Sequence, residues 1–169
     1  TSNSRIVYNN ISGNYYGVWL FSSFSNSFSA NNITSNKVGT YLDKSSNNTF
    51  SGNSIASNSD YGIHLLDSSN CKFYENDVIN DRIGAFLERS TNNTLSNSTI
   101  TDNSLYGAHL FESSNYNVIR ENEISRNQYG IFLLGTSDHN SIFQNSITGN
   151  GIGAYLDFSS SFNNLSGNT

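Results

Sequence analysis

Residues 45–70 read SSNNTFSGNSIASNSDYGIHLLDSSN, a stretch that opens and closes on Ser-Ser-Asn with a displacement of 23 residues. Between the two copies lies one glycine-led phrase, Gly62-Ile63-His64-Leu65. The phrase belongs to a column. It recurs as Gly17-Val18-Trp19-Leu20, Gly39-Thr40-Tyr41-Leu42, Gly84-Ala85-Phe86-Leu87, Gly107-Ala108-His109-Leu110, Gly130-Ile131-Phe132-Leu133 and Gly153-Ala154-Tyr155-Leu156, at steps of 22 or 23 residues. A second apolar column keeps the same period: Ile11, Ile33, Ile55, Val78, Ile100, Ile124 and Ile147. A third is Ile6, Phe28, Phe50, Phe73, Leu95, Ile119, Ile142 and Leu165. Self-similarity at such a period specifies a solenoid or array.

Each apolar column stands in a short alternating stretch bounded by Asn, Ser and Gly, the pattern of short strands and tight turns. Three strands per turn wind into a triangular coil. Each strand then pairs with its copy one turn later, ~4.8 Å along the axis. The expected fold is all-β, a parallel β-solenoid of about seven coils of 22–24 residues with three short strands per coil. Residues 1–169 form a single domain of this kind.

The asparagines keep step with the apolar columns. Asn9, Asn31, Asn53, Asn76, Asn122 and Asn145 sit two residues before the second column, with Ser98 replacing Asn once. Asn14, Asn36, Asn58, Asn103, Asn127 and Asn150 sit three residues after it, with Asp81 in the remaining coil. Asn26, Asn48, Asn93, Asn117, Asn140 and Asn163 precede the third column by two. Asn tolerates the left-handed backbone that sharp corners require, and stacked amides hydrogen-bond along an axis as they do in cross-β ladders. A leucine-rich repeat shares the period, but it needs L-x-x-L-x-L-x-x-N and a helical or 3₁₀ return limb. Three Asn columns per turn and no helix-forming stretch oppose it.

Composition narrows the function. The 169 residues carry a net charge of −5, only 12% charged side chains, and no Pro or Met. An acidic chain without clustered Lys and Arg is not a nucleic-acid partner. No apolar run approaches the ~20 residues of a membrane span, so direct membrane insertion is not expected. One cysteine, Cys71, gives no disulfide framework.

The phrase N-x-I-x-x-N-x-x-x-G-I-x-L-x-x-S-x-x-N resembles the right-handed parallel β-helix repeats of the NosD-like family, within the wider group of carbohydrate-binding proteins and sugar hydrolases. The resemblance runs along essentially the whole chain. It implies a right-handed coil and an extracytoplasmic location, secreted, periplasmic or at the cell surface. It also implies a choice of roles among copper-enzyme maturation, polysaccharide lyases and epimerases, and surface modules. Fold analogy does not choose among these.

With Ile63 and Leu65 inward, strand alternation turns His64 outward. The outward column is then Trp19, Tyr41, His64, Phe86, His109, Phe132 and Tyr155, flanked by Phe21, Asp43, Leu66, Glu88, Phe111, Leu134 and Asp157. An exposed aromatic face of this size marks a ligand or partner surface. Its expected role is structural assembly or recognition of a protein or polysaccharide partner, with Trp19, Phe21, Tyr41, His64, Phe86, His109, Phe111, Phe132 and Tyr155 as the contact face. End-to-end or lateral self-association is a further use. The competing explanation is cross-strand aromatic packing alone, worth roughly 0.2–1 kcal/mol per pair.

A catalytic alternative, a lyase, epimerase or hydrolase, would use Asp43, His64, Glu88 and His109 on successive coils. His64 between two carboxylates would have its pKa raised. Asp43 and Glu88, two rungs apart, approach the upper end of the ~6.5–9.5 Å that inverting glycosidases use. No basic cluster stands ready to hold a uronate, so surface charge for solubility is the simpler account, and the chain leans away from enzymes. No metal site or other cofactor is expected: His64 and His109 are two rungs apart, His139 lies at a corner, and copper transfer favours soft Met and Cys ligands. Cys71, standing in an Asn column, is expected to be buried and inert. Six N-glycosylation sequons begin at Asn10, Asn32, Asn47, Asn92, Asn97 and Asn164. With 29 Asn, and a quarter of all residues Ser or Thr, about seven would arise by chance. Neither end carries a divergent capping segment, which suggests a piece of a longer solenoid or chains that stack end to end.

Overall fold

The computed structural model describes all 169 residues and contains 22 strands and no helix. One coil shows the plan. Thr49–Ser51 and Ser54–Ala56 are three-residue strands, and Tyr61–Leu66 is a six-residue strand. Copies of each pair in parallel from coil to coil, giving sheets of eight, seven and seven strands. These are called here the first, second and third sheets, in the order one coil visits them. Registers are unbroken: Phe50 faces Phe28 and Phe73, Ile55 faces Ile33 and Val78, and Leu65 faces Leu42 and Leu87. Backbone hydrogen bonds therefore run along the axis, and the interior is a stack of like on like.

The three apolar columns of the sequence are that interior. Ile33, Leu42, Phe50, Ile55 and Ile63 have no exposed surface. Phe28, Phe50 and Phe73 stack nearly flat at 4.5 and 4.8 Å, with rings tilted by only 3° and 8°. Strand spacing and ring-stacking distance coincide, so one register serves both.

The glycine column is dictated by a close approach. A Cβ on Gly39 would lie 2.6 Å from the Gly62 carbonyl oxygen, 2.8 Å from Asn58 Nδ2 and 2.9 Å from Ile55 Cγ2. Gly17, Gly62, Gly84, Gly107 and Gly130 face the same crowding. At this bend the glycine and the residue after it both turn inward. That pair resets the strand alternation, and the residue before the glycine then points the same way as the residue two after it.

The asparagine columns are hydrogen-bonded ladders. The Asn31 backbone N–H donates to Asn53 Oδ1 at 3.0 Å, and Asn31 Nδ2 donates both to Asn53 Oδ1 and to the Ile6 carbonyl, each at 3.0 Å. Each buried amide thus links three coils. The corner geometry differs from expectation. The ladder asparagines are not left-handed; the residue before each one is. Ala30, Gly52 and Glu75 precede Asn31, Asn53 and Asn76 with φ of 51°, 59° and 56°. The left-handed residue turns the chain outward at the corner, which aims the next side chain into the coil, where its amide can be satisfied.

A fourth ladder is made of serine. Backbone N–H groups of Ser23, Ser45, Ser68 and Ser90 donate to the Oγ of the next rung at 2.9–3.1 Å, ending on Ser114. Two positions depart from the amide pattern. Cys71 is fully buried, its thiol pushed up to about 11 by burial. Asp81 keeps the acceptor half of an asparagine: Oδ1 receives the Asn58 N–H at 2.6 Å and Asn58 Nδ2 at 3.0 Å. Its Oδ2 stands where the other rungs carry Nδ2, and it has no partner. Burial pushes this carboxyl up to about 8.

The outer face of the third sheet as candidate functional site

The third sheet has the long strands, and its outer face carries three columns. Register places Trp19, Tyr41, His64, Phe86, His109, Phe132 and Tyr155 in one file. Phe21, Asp43, Leu66, Glu88, Phe111 and Leu134 form the next. Sequence reasoning missed the third file: Tyr16, Val38, Tyr61, Ile83, Tyr106, Tyr129 and Ile152, each directly before a column glycine. The signal was present, since a Tyr, Val or Ile stands before every one of those glycines. Simple alternation from His64 would have turned Tyr61 inward. The double inward step at the glycine brings it out beside His64, with ring centroids 4.8 Å apart.

The face is less open than its orientation alone suggests. Trp19 and Phe21 are 57% and 58% exposed and Tyr155 is 41% exposed, but Phe86 and His109 retain only 9% and 8%. The cause is rung spacing. Tyr41–His64, His64–Phe86, Phe86–His109 and Phe132–Tyr155 lie at 4.8–5.0 Å between centroids. Flanking tyrosines cover what remains, as Tyr106 does against His109 at 4.6 Å and Phe132 at 5.0 Å. Ring faces are thus spent on one another, and ring edges with Leu66, Phe111 and Leu134 form the outer surface. Open ring face survives at the Trp19–Phe21 end, where with Asp43 it borders a shallow cleft.

The titratable residues come together only in part. His64 Nε2 lies 3.4 Å from Glu88 Oε2 without the alignment of a hydrogen bond, and that nitrogen and Asp43 Oδ1 are both buried without partners. Burial among the rings lowers the His64 pKa, outweighing the opposite pull of Glu88 and Asp43. The elevation expected from two flanking carboxylates is therefore reversed, because the imidazole loses more hydration than two partly wet charges return. His109 has neither ring nitrogen bonded, and burial pushes it down to about 4. Glu88 is also engaged by Arg89 at 2.8 Å, and Arg89 reaches Asp67 at 3.0 Å and Glu112 at 2.6 Å on the neighbouring corner. Asp157 turns into its own loop, where it accepts from the Ser159 hydroxyl. No Lys or Arg stands in the three files. Chemically, the arrangement offers a neutral imidazole between two carboxylates, set in an apolar carpet.

A family model described as periplasmic copper-binding protein (NosD) matches residues 1–60 and 41–169. The chain belongs to the NosD family. Among solved structures, the periplasmic alginate epimerase AlgG superposes with a TM-score of 0.82 at 18% identity, over 94% of this chain and 48% of that one. The A-module of the Azotobacter vinelandii mannuronan C-5 epimerase AlgE4 gives 0.68 at 16% identity, over 95% of this chain and 58% of that one. At such identities the likeness is one of fold, and the chain spans about half the length of these proteins. No curated protein matches the sequence.

The family description raises copper, and the residues do not suit it. No three His, Cys, Asp or Glu side chains lie close enough together to share an ion. Cys71 is sealed in the core with its thiol held protonated, and the chain has no methionine. Copper is held by thiolate or thioether sulfur or by imidazole with other N and O donors, and no such set converges on this chain.

Proposed function

We propose that this NosD-family chain is a non-catalytic, extracytoplasmic β-helix module that docks a partner protein through the outer face of its third sheet. The carrying observation is how that face packs. Sugars stack on open ring faces, whereas away from the Trp19–Phe21 end these rings cover one another and turn edges and aliphatic side chains outward. Seven rungs at ~4.8 Å and six residues at ~3.3 Å span roughly 30 by 20 Å. That area, ~600 Å², approaches the ~800 Å² that each partner of a standard interface buries. An extracytoplasmic location is supported by the family's description as periplasmic.

The test uses two charge insertions on the carpet, Leu66→Glu with Leu134→Glu, and a control on the second sheet, Ser54→Glu. Each protein is immobilised and challenged with the envelope fraction of its source organism. One protein retained by wild type and control but lost by the double variant is the expected result. Equal retention by all three rules out this face.

A second reading, a polysaccharide epimerase or lyase, is favoured by the Asp43–His64–Glu88 grouping and by the fold likeness to alginate epimerases. In it His64 is the proton acceptor and Asp43 and Glu88 set its charge. New unsaturated chain ends or altered uronate composition after incubation with alginate, abolished by His64→Gln, would establish it in place of the docking role.

A further inference from the structure

The structure sorts the 29 asparagines into two populations. Nineteen stand in ladders, with their amides buried or bound between coils. None of these begins a sequon. In two of the ladders the residue two further on is the inward apolar one, and in the third it is Asp60 or an apolar side chain such as Tyr16, Val38 or Leu105. All six sequons therefore fall among the ten remaining asparagines.

All six sequon asparagines are exposed. Asn10 and Asn32 are tied to each other, with Asn32 Nδ2 donating to Asn10 Oδ1 at 2.9 Å, and Asn164 sits in the last rung. Asn47, Asn92 and Asn97 differ. Each occupies the left-handed corner position, with φ of 57°, 57° and 49°, directly before a ladder residue. The ladder side chain points in, so these point out, and their amides make no intramolecular hydrogen bond that a substituent would break. We infer that Asn47, Asn92 and Asn97 are acceptors for N-linked glycans, carried on the corners that flank the first sheet. The donor class is a polyprenyl-(di)phosphate-linked oligosaccharide. Asn Nδ2 forms a bond to the anomeric carbon and loses one proton, the bond from that carbon to the phosphate oxygen breaks, and the lipid (di)phosphate leaves. No electron transfer is involved.

A second asymmetry agrees with this placement. The seven strands of the third sheet contain no asparagine, so that face carries no acceptor for an N-linked glycan. Glycans would clothe the polar side of the prism and leave the aromatic carpet bare.

The test expresses the protein at full length behind a secretion signal in a eukaryotic host that N-glycosylates. Export is then imposed, and the outcome does not depend on the native location proposed above. Secreted protein is cleaved to peptides, treated in ¹⁸O-water with a peptide N-glycosidase that hydrolyses the Asn side-chain amide to Asp, and mapped by peptide mass. Label at Asn47, Asn92 and Asn97, and at no ladder asparagine, is expected. Thr49→Ala, Thr94→Ala and Thr99→Ala should each erase their own site, while Thr→Ser at the same positions restores it. Folded, secreted protein unmodified at all three asparagines would overturn the assignment, as would label that persists after the alanine substitutions.

Discussion

Replacing Asp81 with asparagine restores the ladder that the aspartate interrupts, and the size of the effect follows from the geometry. Elsewhere in that ladder Nδ2 donates to a carbonyl of the preceding coil, from Asn58 to Ile33 at 3.4 Å and from Asn103 to Val78 at 3.3 Å. In the Asp81 rung the same place is taken by an oxygen that can only accept, unless it is protonated. The folded carboxyl titrates near 8 against 3.8 for the free group. Because the folded pKa is the higher, the contribution to stability is complete below pH 3.8 and is lost progressively as pH rises toward 8. At pH 7 the loss spans about three units at ~1.4 kcal/mol each, or ~4 kcal/mol, and it levels off above pH 8. Asp81→Asn should therefore be more stable than wild type by roughly 2–4 kcal/mol at pH 7 and about equal to it near pH 4. Urea midpoints followed by far-ultraviolet circular dichroism, taken for both proteins from pH 4 to 9, measure the difference directly. His64 and His109 titrate in both proteins and cancel. Parallel midpoint curves between pH 6 and 8.5, or a variant less stable than wild type at pH 8, would refute the protonated-rung argument.

Three further outcomes are expected. Gly84→Ala should cost about 2 kcal/mol or more, because its Cβ would lie 2.7 Å from the Gly107 carbonyl oxygen; Gly52→Ala, at a corner with nothing within 4 Å, should cost ~1 kcal/mol, and thermal melts would rank the two. His109→Phe should remove part of the acid sensitivity. With its folded pKa near 4 against 6.5, His109 favours folding above pH 6.5 and loses up to ~3 kcal/mol as pH falls toward 4, so the variant's urea midpoint should exceed that of wild type at pH 4.5 and match it at pH 7.5. Cys71 should ignore a thiol reagent such as Ellman's at pH 8 in the native protein and react fully in denaturant, and native reaction within minutes would contradict its burial.

Much of this molecule was legible because each of its rules acts over one period. Identical strands stacked at one spacing must present identical side chains, so the inward Ile, Phe and Leu columns, the polar ladders and the outward ring file could all be traced from recurrence. The recurrence of glycine was equally plain, but its cause was not, since the clash that forbids a Cβ involves a carbonyl on the next rung. That clash also decides the fate of Tyr16, Tyr61 and Tyr106, which simple alternation would send indoors. The left-handed residue was placed one position late, because Asn is the usual occupant of that conformation and the actual occupants vary from Ala to Glu.

By itself the sequence determined the period, the number of coils, the three-strand section and which residues line the axis, since like-on-like stacking leaves a repeat in the chain. Tertiary structure alone decided how much of the aromatic file meets solvent, that His64 loses rather than gains proton affinity, that Asp81 is one donor short, and which asparagine amides are free. Those properties depend on neighbours 22 or more residues away, along an axis to which the sequence runs crosswise.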